Sequence, residues 1–138
     1  MTLVLCNGCF DPFHYGHLLH FYAARSHGTR LAVALTADRY VNKGPGRPFF
    51  TAEQRGAVLL ALRGLVDEVI VSDAPRPDDL IRRLQPAVYA KGVEYAGRLP
   101  EQALVESYGG RVLFTETPKF SSSAVWHSIA PLDPVPWA

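Results

Sequence analysis

Apolar and polar positions in this chain come in blocks. Mainly apolar runs at residues 3–6, 30–36, 68–72, 87–90 and 111–115 have the length and branched-aliphatic content of buried parallel strands. Between them, apolar residues recur at helical spacing. Residues 18–25 read as a first helix. A second opens at Thr51, with Gln54 three residues on as a capping box, and runs to about 62 or 63 with Val58, Leu59 and Leu62 on one face. Pro77 suits the first turn of a short helix carrying Leu80, Ile81 and Leu84. Pro100 starts another, which Gly109-Gly110 ends. A last helix is expected to about Ile129, followed by an irregular tail, 131–138.

Strands alternating with helices predict an α/β fold: a Rossmann-like, doubly wound, five-stranded parallel sheet in three layers, α/β/α. The expected organisation is one domain, 1–130, and the tail. Ligands of such sheets bind beyond the C-terminal strand edge, where strand order reverses. The unusual loops, 7–16, 37–50, 91–98 and 116–122, all follow strands and should converge there.

Composition narrows the classes. The chain has 138 residues, 48% hydrophobic and 20% charged, with net charge +1, which suits one soluble domain. It carries no basic tail or Lys-rich run, which argues against a nucleic-acid partner. No stretch has the length of a membrane span, and the first residues lack the charged region of a signal peptide, so the cytoplasm is expected. Cys6 and Cys9 make a C-x-x-C spacing, but no second pair completes a zinc site, and Cys6 ends a strand instead of opening a helix. No metal site is expected in the protein itself; Cys6 reads as core and Cys9 as a turn residue.

The chemistry concentrates in residues 8–17. A strand, a glycine-bearing turn and a helix N-terminus form an anion site, because free backbone N–H groups and the helix dipole point at one place. His14 and His17 bracket Gly16 there; each imidazole offers a donor, and Gly16 lets the backbone approach a ligand. Lys43, one of only three lysines, lies in a Gly- and Pro-rich loop suited to closing over phosphates, with Arg39 and Arg47 as the other nearby cations. A solvated loop charge is the plainer reading. Arg55 and Arg63 fall near one helix face, as phosphate contacts or as ion pairs. Ser121, Ser122 and Ser123 precede the last helix, as a cap or as a second phosphate cradle to which Lys119 adds charge. Asp11 stays open between a structural role and a contact to acceptor or metal. Phe10 reads as core, its N–H near the ligand.

Gly8 to His17 resembles the G-x-F-D-x-x-H-x-G-H signature of the cytidylyltransferase-like nucleotidyltransferase superfamily, matching every fixed position. Arg47-Pro48 with Glu53-Gln54-Arg55 resembles that family's R-P and E-Q-R stretch, and Ser121 to Ser123 falls where it has I-S-T-T. Lys91 to Tyr95 and Gly109-Gly110 look most like the branch acting on heptose 1-phosphate; the glycerol-3-phosphate cytidylyltransferase branch is similar over the first half. The resemblance implies transfer of a nucleoside monophosphate from an NTP, ATP before CTP, to a small phosphorylated sugar or polyol, with pyrophosphate leaving. The alternative donor and acceptor are CTP and glycerol 3-phosphate or a related polyol phosphate. It implies catalytic roles for His14, His17 and Lys43, and nucleotide contacts from Gly8, Cys9, Phe10, Gly16, Thr36, Arg63, Ala90, Gly92, Tyr95 and Ser121 to Ser123. Asp11 and Arg55 would meet the acceptor. Mg²⁺ would be held mainly by the NTP, and a homodimer is the form expected. Two rivals come from other classes. One is a nucleotide-binding module without catalysis, against which the intact histidine pair and Lys43 count. The other is a dinucleotide-dependent oxidoreductase, which would need a G-x-G-x-x-G after the first strand.

Overall fold

The apolar runs become strands β1 (Leu3–Gly8), β2 (Arg30–Thr36), β3 (Glu68–Ser72), β4 (Val88–Gly92) and β5 (Arg111–Thr115) in the computed structural model, which describes residues 1–116. Helices α1 (Tyr15–Arg25), α2 (Ala52–Leu60), α3 (Asp78–Leu84) and α4 (Gln102–Ser107) alternate with them, and short 3₁₀ turns stand at Asp38–Tyr40 and Val93–Tyr95. The strands are all parallel, in the order β3-β2-β1-β4-β5. Consecutive strands run outward from β1 to β3, and the chain then returns to place β4 on the other side of β1. That return makes the β1/β4 junction the point where strand order reverses, with Cys6 level with Val33 on one side and Ala90 on the other.

Strand periodicity divides the core into two layers. Leu31, Val33 and Leu35 of β2 face Phe21 and Ala24 of α1 and Leu59 of α2. The alternate residues, Ala32 and Ala34, face Leu80 and Ile81 of α3 and Val105 of α4, around the fully buried Tyr89. Helices therefore cover both faces, as the sequence pattern predicts for a Rossmann-like sandwich.

Element ends depart from expectation for local reasons. Helix α1 begins at Tyr15, three residues early, because a histidine caps it instead of a Ser, Thr, Asp or Asn. The Thr51–Gln54 capping box is present, but α2 stops at Leu60, and Val58 is half exposed while Leu59 is buried. Strand β1 continues through Asn7-Gly8, and β4 runs two residues beyond Ala90, so Lys91 is a strand residue and not part of a loop. Helix α4 starts two residues after Pro100, and Gly109 (φ +89°) turns the chain out of it. The expected last helix, the tail 131–138 and the boundary at 130 lie outside the described residues, as do Lys119 and Ser121 to Ser123.

Candidate active site

The turn from β1 into α1 is built around an unusual backbone. Phe10 sits in the left-handed region (φ +50°), a conformation that costs a non-glycine residue about 1–2 kcal/mol. Its buried ring offsets that cost by packing edge-on against His17 at 4.9 Å and Phe21 at 5.1 Å. The chain then passes Asp11 and Pro12 and enters the helix at His14.

His14 and His17 cap α1 reciprocally. The His17 backbone N–H donates to His14 Nδ1 at 3.4 Å, and the His14 N–H donates to His17 Nδ1 at 3.2 Å. Both Nδ1 atoms accept, so each neutral ring carries its proton on Nε2. The rings stack at 3.6 Å with 18° between their planes, and Phe13 packs on the His17 side at 5.6 Å. Burial, reinforced by His14, Lys43 and His20, drives the His17 pKa down to about 3. Burial and then Lys43 lower that of His14 as well. Near neutral pH both are uncharged donors at the positive end of a helix.

The second wall is the 37–50 loop, fastened from beneath. Asp11 is fully buried and accepts from the backbone N–H groups of Phe49 (2.7 Å) and Phe50 (2.9 Å) and from Arg47 Nε (3.1 Å). Burial alone would raise its pKa, but these bonds and the Arg47 charge hold its carboxyl below the usual carboxylate range. Arg55, 2% exposed, donates to the carbonyls of Phe50, Cys9 and Thr36 and to Asp38 Oδ1 at 2.7–2.9 Å. One guanidinium thus ties the ends of β1 and β2 to the start of α2. Asp38 also accepts from the Ala52 N–H. The peptide bonds before Pro12 and Pro48 are both cis.

These contacts bear on three expectations. The polar atoms of Asp11 and Arg55 are bonded to the scaffold. Arg63 does not join the crevice. It lies exposed beyond the C-terminal end of α2, in the connection whose Asp67 bonds Leu31 at the start of β2, which is the opposite edge of the sheet. Arg39 and Arg47 cannot stand in for a loop lysine, since Arg39 is bidentate with Asp73 (2.8 and 2.6 Å) and Arg47 is buried on Asp11. Lys43 is the exposed cation of the loop without a carboxylate partner among the described residues, next to Gly44 (φ +94°), and its charge reaches both imidazoles.

Gly8, Cys9, Gly16 and Thr36 lie with the histidines at the C-terminal strand edge, and Ala90, Gly92 and Tyr95 continue that edge across β4. Two polar features there were missed from sequence. Lys91 Nζ lies 3.5 Å from the Asn7 carbonyl and 4.5 Å from the centroid of the Tyr95 ring. His20 Nδ1 lies 2.6 Å from Thr115 Oγ1 at the end of β5, its pKa pushed down to about 4 by burial and then by Lys91. The spacing of His14, His17 and His20, three residues apart on one helix, was the available signal for the second. An apolar hollow of about 340 Å³ opens beside this edge between Phe10, Phe13, Phe50 and Val58. Its walls include neither histidine nor Lys43. Among the described residues no three His, Cys, Asp or Glu side chains converge as a metal cage.

A doubly wound sheet with paired neutral imidazoles at its first helix N-terminus gathers the donors of an anion site at the carboxyl edge of its strands. Residues 5–131 match the family model described as cytidylyltransferase-like. The chain belongs to that family. It is 42% identical over 132 residues to the bifunctional protein HldE of Methylobacillus flagellatus, covering 93% of this chain and 27% of that protein. The HldE of Pseudomonas entomophila is 42% identical over 114 residues, covering 80% and 24%. The chain thus spans about a quarter of the length of the curated relatives it matches. The fold is shared with a lipopolysaccharide core biosynthesis protein from Thermoplasma volcanium (TM-score 0.68, 22% identity, 88% of this chain and 99% of that one). It is shared too with a bifunctional NMN adenylyltransferase/ADP ribose pyrophosphatase from Francisella tularensis (TM-score 0.64, 15% identity, 93% and 41%).

Proposed function

We propose that the protein transfers a nucleoside monophosphate from an NTP, with ATP the favoured donor, to a small sugar phosphate such as heptose 1-phosphate. The observation that carries this reading is the reciprocal cap, which turns two neutral imidazoles into fixed Nε2 donors at a helix N-terminus. An acceptor phosphate oxygen attacks the α-phosphorus, the bond to the bridging oxygen breaks, and pyrophosphate leaves. Such a step needs alignment and donors aimed at the developing charge more than it needs covalent help. His14 and His17 meet the α- and β-phosphate oxygens, each donating its Nε2–H. Lys43 closes from the β2 side over the triphosphate. Gly8, Cys9 and Phe10 bring backbone to the nucleotide, while Thr36, Ala90, Gly92 and Tyr95 line the way to its base. Ser121, Ser122 and Ser123 complete a cradle for the β and γ groups.

The described residues offer no carboxylate set for Mg²⁺, since both oxygens of Asp11 are engaged. In this reading Mg²⁺ would be held mainly by the NTP, and no side chain is assigned to it. The same reading takes the enzyme as a cytoplasmic homodimer, which light scattering on the purified protein checks. No described helix is long and apolar enough to cross a membrane.

The test is pyrophosphate release from ATP and CTP against a panel of sugar and polyol phosphates. Turnover with ATP and a sugar phosphate is expected. Turnover only with CTP and glycerol 3-phosphate would reverse the donor and the acceptor, and no turnover with any pair would end the proposal.

A further inference from the structure

Lys91 is a half-buried cation that the mechanism above does not use. Its Nζ makes one hydrogen bond among the described residues, a long one of 3.5 Å to the Asn7 carbonyl, and stands over the Tyr95 ring. No described carboxylate pairs with it. Glu94 and Glu101 act on it only through space, and Glu101 is itself taken up by Arg76 (3.7 Å) and the Tyr89 hydroxyl (3.5 Å). A lysine kept for structure alone would normally leave its charge in water or seat it against an anion. Here three N–H donors share one distant oxygen. Burial lowers its pKa, opposed by those two glutamates and by Cys6 and Cys9.

Its place in the fold gives this imbalance a use. Asn7 is the last but one residue of β1 and Lys91 the last but one of β4, so the contact between them bridges the junction at which strand order reverses. Charge points the same way. Arg47 and Arg55 are neutralised by Asp11 and Asp38, and the histidines are neutral. Among the described residues, the cations without a carboxylate partner near the C-terminal strand ends are therefore Lys43 on the β2 side and, on the β4 side, Lys91 and the exposed Arg98.

We infer that Lys91 is a phosphate-binding residue of the active site, its ammonium donating to phosphate oxygens of a substrate at the β1/β4 junction. The inference rests on the nucleotidyl-transfer reading. The phosphate belongs either to the NTP or to the acceptor, and kinetics separate the two.

Lys91→Met keeps the buried stem and removes the charge. The KM for one phosphate-bearing substrate should rise about tenfold to a hundredfold, the size expected for a lost charged hydrogen bond. A rise confined to ATP assigns the NTP, and one confined to the sugar phosphate assigns the acceptor. Both KM values within twofold of the parent, in a variant with the parent's melting curve, would overturn the inference. A second readout needs no variant at position 91. In the parent protein carrying ¹⁵N-lysine, the Lys91 Nζ resonance is assigned among three lysines using Lys43→Ala and Lys119→Ala. It should shift on addition of inorganic triphosphate or glycerol 3-phosphate and stay put with adenosine. A resonance indifferent to both phosphates overturns the inference, whatever the fate of Lys91→Met. A parent enzyme that releases no pyrophosphate, yet whose Nζ answers to triphosphate, would strike the reaction and leave this site standing.

Discussion

His14 and His17 hold each other in place: each ring's Nδ1 accepts the other residue's backbone N–H, and the two rings stack 3.6 Å apart. One pair of side chains therefore does two jobs, closing the first turn of α1 and presenting two Nε2 donors. The jobs separate by mutation. His17→Ala should lower kcat on the order of 100-fold and cost about 1 kcal/mol of stability through the lost cap. His17→Glu supplies a capping-box acceptor at the same helix position, so it should regain stability relative to His17→Ala while placing an anion where phosphate binds. Its kcat should be no better than that of the alanine variant. Denaturant titration alongside steady-state rates checks both; recovery of activity by Glu would show that the rings serve the helix alone.

The Asp11–Arg47 pair predicts a stability effect in place of a binding one. Both side chains are buried, at 0% and 5% exposure, and the carboxylate also accepts two backbone N–H groups from the loop. Asp11→Asn removes the charge and faces one N–H donor with another. Unfolding free energy should fall by about 3–5 kcal/mol, with loop 37–50 becoming protease-sensitive. Unchanged stability with a raised acceptor KM would restore Asp11 as a substrate contact.

Lys43 is exposed, so its replacement should leave stability alone. Lys43→Ala is expected to raise the KM for the NTP about tenfold and to slow turnover. Unchanged kinetics would make it an ordinary solvated loop charge.

How far the sequence reveals this site depends on the kind of signal. The strand runs at 30–36, 68–72 and 111–115 are legible to the residue, because each has an apolar centre closed by a charged residue at its start and a hydroxyl residue at its end. The histidine pair is legible because its motif is dense. Arg55 and Asp11 are visible as residues but not as anchors: nothing local tells that a guanidinium will find carbonyls from Cys9, Thr36 and Phe50, which are brought together only by the sheet. Lys91 is hidden by its own strand. Polar residues at 91 and 92 make β4 look finished at Ala90, although pairing with β5 carries it to Gly92. Arg63 misleads in the other direction, since helical periodicity puts it near the face of Arg55 while α2 ends before reaching it.

The buried histidines make stability depend on pH. The folded pKa values of His17 and His20, about 3 and about 4, lie below the ordinary value of 6.5. Their contribution is whole above pH 6.5 and is lost as pH falls towards those values, because only the unfolded chain takes up the protons. Each ring adds a slope of ~1.4 kcal/mol per pH unit across that window. Unfolding free energy should be level from pH 7 to 8 and decline below about 6. His20→Leu should make the decline between pH 6.5 and 4 shallower, whatever its effect at pH 7. An unaltered slope would mean that His20 is not held neutral.

The most direct measurement of the central claim is a crystal structure of the protein with a nonhydrolysable ATP analogue. Nε2 of His14 and of His17 should each lie within hydrogen-bond distance of triphosphate oxygens, over the N-terminus of α1. A triphosphate seated elsewhere, with both Nε2 atoms turned from it, would contradict the account.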